Sequence, residues 1–129
     1  MALSVTHGDG FVQNGLKTTI ESPEPARSDC HAWGAHPVYH FYASLLGIRP
    51  AEPGFRRVHI EPQMGHLTNV QATLVHPQGA ISVQLSRQDD VLRGAITLPD
   101  ALSGTLVLTS GTIPLHGGRQ SVDAPLEVP

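Results

Sequence analysis

The chain has 129 residues, a formal charge of −3 and a pI near 6.2, which suits one domain with one hydrophobic core. Eight Lys+Arg against 11 Asp+Glu exclude the basic footprint of a nucleic-acid or anionic-membrane binder. A single cysteine, Cys30, excludes an internal disulfide framework, and no apolar run approaches the roughly 18 residues of a membrane span. With 13 Gly, 11 Pro and 15% charged residues against an ordinary ~25%, yet 40% hydrophobic residues, the chain is turn-rich rather than disordered. A mainly β fold is expected.

Residues 1–30 keep no period and carry Gly8, Gly10, Gly15, Pro23 and Pro25, which predicts an irregular arm. The opening Met1–His7 has no basic head or long apolar stretch, so a secretory signal is not expected and a cytoplasmic location is the default. Residues 31–54 are read as a helix and linker. Pro37 suits a first turn and Gly47 a C-terminal stop, while Val38, Phe41, Tyr42, Leu45 and Leu46 recur at helical spacing as one apolar stripe. Ile48–Gly54, with two prolines, is the linker.

From Phe55 the period changes to two, and residues 55–129 are expected to form an antiparallel β-sandwich or open barrel. Val58 and Ile60 alternate with polar neighbours. Val70, Ala72 and Leu74 lead through His76-Pro77-Gln78-Gly79 into Ile81, Val83 and Leu85, a β-hairpin pattern. Gln88-Asp89-Asp90 marks the next turn, before Leu92, Gly94, Ile96 and Leu98. Further strands are expected at 104–109, 112–116 and 119–128.

The segment Gly15-Leu16-Lys17-Thr18-Thr19-Ile20-Glu21, followed by Arg27-Ser28-Asp29-Cys30-His31-Ala32-Trp33-Gly34-Ala35-His36-Pro37, resembles the end of the catalytic region of bacterial α-L-rhamnosidases. Leu46-Gly47-Ile48, Pro53-Gly54-Phe55, Ile60-Glu61-Pro62 and the hairpin Pro77–Val83 resemble the passage into that family's C-terminal β-sandwich. The resemblance implies a truncated C-terminal piece of a multidomain glycoside hydrolase: the last helix of an (α/α)6 barrel plus the sandwich. It further implies Glu21 as the counterpart of the general base, and His31 and Trp33 as sugar-pocket residues. An inverting glycosidase needs two carboxyls about 6.5–9.5 Å apart, and nothing here matches the general acid. The expected role is therefore weak carbohydrate binding, toward a rhamnose-containing glycan, or structural support.

The candidate catalytic residues are Glu21 and His31, and the candidate substrate-binding residues are Arg27, Asp29, Trp33 and His36. Asp29 is equally suited to capping the turn before the helix. His36 and His40 stand at i, i+4, with His31 five residues earlier, a spacing that can serve a metal. The usual intervening glutamate is absent, so no metal and no cofactor are expected. Cys30 beside His31 offers dyad letters, but adjacent side chains rarely face each other. A rival reading is a small hydrolase with a His/Glu site formed between subunits. Trp33, Tyr39, Phe41 and Tyr42, four of the six aromatics, lie within ten residues. Such a stripe needs a partner, which predicts a homo-oligomer; a pure oligomerisation module is the third reading. No nucleic-acid or membrane partner is expected.

Overall fold

The computed structural model describes Gly15, residues 17–21, Ser28 and residues 30–126. It divides into two compact units, residues 1–40 and 41–129. The expected arm over 1–30 falls largely outside the described residues.

In the first unit, Thr19 and His31 are tied twice. The His31 N–H donates to the Thr19 carbonyl at 2.8 Å, and the Thr19 hydroxyl donates back to the His31 carbonyl. Gly34 lies against Thr19, where a Cβ would meet the threonine side chain at 3.0 Å. Residues Ala32–Ala35 then form a 3-10 turn and His36–His40 a short α-helix, α1. Pro37 falls in the first turn of α1, where its missing N–H removes no helical bond. No residue from Ala32 to His40 is buried.

The expected 31–47 helix is thus corrected to three short pieces. The third, in the second unit, is a π-type turn over Phe41–Leu45, closed by the Leu46 N–H to the Phe41 carbonyl at 3.1 Å. With Gly34 and Pro37 near the start, and neither a side-chain cap at His31 nor an acid in the first turn, nothing supports a long regular α-helix. The apolar stripe divides as well. Leu46 is fully buried and Phe41, Tyr42 and Leu45 pack on the core, whereas Val38 is 58% exposed. Gly47 ends the segment as expected, with φ +65, and its backbone runs so close to Glu61 that a Cβ would sit 2.0 Å from the Glu61 carbonyl oxygen.

The second unit is a β-sandwich of two four-stranded sheets. One has the order β1 (Ile48–Pro50), β2 (Arg57–Ile60), β6 (Ser103–Leu108), β7 (Gly111–Leu115). The other has the order β3 (Asn69–His76), β4 (Gly79–Gln88), β5 (Val91–Leu98), β8 (Gly118–Pro125). The segment read as a linker supplies β1, whose Ile48 is buried opposite Ile60; a three-residue strand ending in proline carries too little pattern to be read locally. The hairpin is as expected, with His76 opposite Gly79 across Pro77-Gln78. At the next turn Asp89 takes φ +52, a left-handed conformation that Asp tolerates better than most residues.

One pairing is parallel. Strands β3 to β5 cross to the second sheet, and β6 returns beside β2 in the same direction, Val58 opposite Gly104 and Ile60 opposite Leu106. Gly104 permits that approach, since a Cβ there would lie 2.2 Å from the Val58 carbonyl oxygen. The inner faces bury Val58, Ile60, Ile81, Val83, Leu85, Leu92, Ile96, Leu98 and Leu106 almost completely. Each such side chain contributes about 1.5–3 kcal/mol. Edges are blunted: Pro114, with no N–H to offer, lies in edge strand β7, and the Tyr42 hydroxyl donates to the Thr73 carbonyl on edge strand β3 at 3.0 Å.

Candidate functional site

The sequence-nominated residues lie in the first unit. Arg27 and Asp29 are outside the described residues. The Glu21 N–H donates to the Ser28 carbonyl at 3.0 Å, making a local loop closure, and Glu21 is half-buried. The His31 and Trp33 rings meet edge to face with centroids 4.0 Å apart, while Trp33 remains 65% exposed. His36 and His40 do share one side of α1, with ring centroids 5.7 Å apart. Among the described residues, no three His, Cys, Asp or Glu side chains come together to hold a metal. Cys30 is an exposed free thiol. What the structure brings together here is an exposed, aromatic and imidazole-rich surface, with His31 against Trp33 and His36 against His40.

A second constellation, absent from the sequence reading, occupies the outer face of the β3-β4-β5-β8 sheet. It is an open groove of about 660 Å3. Its floor follows from strand register. Gln71, Gln84, Ala95 and Ser121 stand side by side across the four strands, and Ala95, the smallest of them, makes the low point. One flanking row holds Asn69, Ser86, Arg93 and Asp123; the other holds Thr73, Ser82, Thr97 and Arg119. The alternation that buries Ile81, Val83, Leu85, Leu92, Ile96 and Val122 is what turns these polar neighbours outward.

Arg93 is held at one edge of the groove. Its Nε lies 3.4 Å from Asp123 Oδ2, and its Nη1 donates to Gln88 Oε1 at 3.0 Å. Arg119 has no ion-pair partner among the described residues, and the one carboxylate at the groove edge, Asp123, is the one paired with Arg93. A surface of primary amides, hydroxyls and guanidinium groups both donates and accepts hydrogen bonds, as a polyhydroxylated ligand requires. The outward positions of the 68–86 hairpin and the 92–98 strand were the available signal. Their polar character looked like ordinary solvent-side alternation until register aligned them.

The profile of the bacterial α-L-rhamnosidase C-terminal domain matches residues 47–123, more than half of the chain and nearly all of the sandwich. The chain belongs to that family. No curated protein matches the sequence. Among solved structures, the α-L-rhamnosidase from Dictyoglumus thermophilum matches with a TM-score of 0.67 at 16% identity, over 87% of this chain and 16% of that one. The Streptomyces avermitilis α-L-rhamnosidase, complexed with L-rhamnose, matches with a TM-score of 0.65 at 19% identity, over 81% of this chain and 12% of that one. The Aspergillus terreus α-L-rhamnosidase matches with a TM-score of 0.65 at 23% identity, over 75% of this chain and 12% of that one. These likenesses carry the fold, and the chain spans less than a fifth of each of those proteins. The family match begins at Gly47, so Glu21, His31, Trp33 and His36 all precede it.

Proposed function

We propose that this rhamnosidase C-terminal-type domain is an accessory module of a glycoside hydrolase, binding carbohydrate weakly rather than turning it over. The observation that carries this reading is the groove around Ala95: open, lined by amides and hydroxyls, and seated on a sheet whose opposite face is a complete apolar core. Open grooves of this kind give modest affinity, since little ligand surface is desolvated. The reading keeps rhamnose-bearing glycans as ligands on the strength of the family, and Glu21 and His31 as remnants of a site completed elsewhere.

The test is a pair of measurements on the purified chain. Titration with an α-L-rhamnosyl disaccharide, followed by backbone amide shifts, is expected to show weak saturable binding. An assay for released L-rhamnose is expected to show none. Hydrolysis that disappears in Glu21→Gln would overturn the accessory reading in favour of a stand-alone hydrolase.

A second reading concerns assembly. Trp33, Val38 and Tyr39 are 65%, 58% and 65% exposed within seven residues, which supports self-association through this face. Light scattering over a concentration series is expected to give a dimer or larger species, reduced toward monomer by Trp33→Ser with Tyr39→Ser. A monomer at every concentration removes this reading.

A further inference from the structure

The groove on the outer face of the β3-β4-β5-β8 sheet carries a charge asymmetry that the accessory reading does not use. Its charged lining side chains are Arg93 and Arg119, both exposed and both positive, in a protein of net charge −3; Arg93 shares its charge with Asp123 at the groove edge, and Arg119 has no such partner among the described residues. They stand on opposite sides of the Ala95 row. Arg93 precedes Ala95 by two residues on β5, and Arg119 on β8 pairs with Thr97, two residues beyond it. Four strand residues separate the two rows, roughly 13 Å along the sheet. That interval exceeds one sugar ring, so the two guanidinium groups address different units of a chain laid along the strands.

We propose that the groove binds an acidic oligosaccharide, with Arg93 and Arg119 taking carboxylates on separate sugar units and Gln71, Gln84 and Ser121 taking hydroxyls between them. The proposal rests on the carbohydrate-binding reading above and adds the ligand's charge. A guanidinium fork pairs with a carboxylate through two parallel hydrogen bonds, a geometry a neutral hydroxyl cannot return. Other occupants fit less well. The groove presents no aromatic side chain, and its two large aliphatic lining residues, Val70 and Leu85, are buried in the core rather than offered to a protein partner. Two arginines on an acidic protein are a small footprint for a polyphosphate chain, whose binding grows with the number of phosphates neutralised. Arg93 already leans on the Asp123 carboxylate at 3.4 Å, an internal example of the contact proposed.

The experiment is a titration of the whole chain with trigalacturonate, its methyl ester and a neutral α-L-rhamnosyl disaccharide, read by backbone amide shifts. Trigalacturonate is expected to shift outer-face amides of β4, β5 and β8, and to bind about tenfold more tightly than its methyl ester, as loss of charge-assisted bonds implies. Its binding is expected to weaken with added salt. Arg119→Gln and Arg93→Gln are each expected to lower its affinity severalfold while unfolding at the parent temperature, both being exposed. Equal binding of trigalacturonate and its ester overturns the acidic-ligand inference and leaves the accessory reading intact. Binding by none of the three saccharides overturns both. Shifts confined to residues outside the groove overturn the site. Tighter binding of a short oligonucleotide, or groove shifts that depend on protein concentration alone, overturn the choice of ligand.

Discussion

The two units of this chain use hydrophobic residues in opposite ways. Over Ala32–His40 the first unit buries nothing and leaves Trp33, Val38 and Tyr39 largely exposed. From Phe41 onward the second unit encloses sixteen buried apolar residues in one cluster and presents a polar outer sheet. The difference teaches where stability and recognition reside. The sandwich is held by an apolar cluster between its sheets, with partly buried residues such as Phe41 and Leu45 packed against it, and its outer face is polar. The 32–40 surface instead leaves its aromatic side chains exposed.

The largest expected effect tests that division directly. Leu106→Ala, at a fully buried position in the strand that joins β2 to β7, is expected to cost about 2–5 kcal/mol in chemical denaturation. Trp33→Ala, although it removes the larger side chain, is expected to change stability by less than about 0.5 kcal/mol. A comparable loss from both would show that the exposed surface is part of the folded core in solution.

Backbone approach supplies the next test. Gly94 on β5 has φ +152, and a Cβ there would stand 2.0 Å from the Gln84 carbonyl oxygen and 3.0 Å from Leu85 Cα. These are backbone atoms of the central strand, which cannot swing aside like a side chain. Gly94→Ala is expected to destabilise by more than about 1 kcal/mol, measured as a lower midpoint in denaturant. An unchanged midpoint would mean that β4 and β5 separate locally at little cost.

These positions also mark how far the sequence could be read. Alternation located β2 to β8 because each strand buries one face, and Pro77-Gln78 and Asp89-Asp90 punctuate them with turn residues. It gave no access to the parallel β2–β6 pairing, since local period says nothing about which distant strand lies alongside. The helix was overextended because the apolar spacing from Val38 to Leu46 outweighed Gly34 and Pro37, and the strand at Ile48 was hidden by its own proline. The candidate site divides similarly. Glu21, His31 and Trp33 are nominated by the family resemblance and His36 by its spacing to His40. Arg93 and Arg119 are 26 residues apart in sequence and become neighbours of one groove only once β5 and β8 are in register.

A buried polar residue sets a smaller test. His76 is 5% exposed, and its Nε2 donates to the Phe55 carbonyl at 3.0 Å while Nδ1 accepts the Gln78 N–H at 3.2 Å. Its ring also meets the Phe55 ring edge to face at 5.0 Å. Phe55 itself has φ +56, an uncommon conformation for a bulky residue that costs of order 1–3 kcal/mol and that these contacts hold in place. His76→Ala is expected to cost about 1–3 kcal/mol, because two backbone groups lose their partner. His76→Gln, able to keep one bond, is expected to recover part of that loss in the same denaturant measurement.

A small stability effect is expected at the groove, and there it separates from function most clearly. The Arg93–Asp123 pair has side chains 52% and 68% exposed, so Asp123→Asn is expected to cost no more than about 1 kcal/mol. The same change removes the carboxylate that competes for Arg93. Trigalacturonate is therefore expected to bind Asp123→Asn more tightly than the parent chain, although the protein is no more stable. Weaker binding in that variant would mean that Asp123 positions the guanidinium rather than occupying it, and the outer sheet would then be a preorganised site rather than an open one. Thermal melting and titration of this one variant, side by side, decide between a surface free to trade its contacts and one built as firmly as the core beneath it.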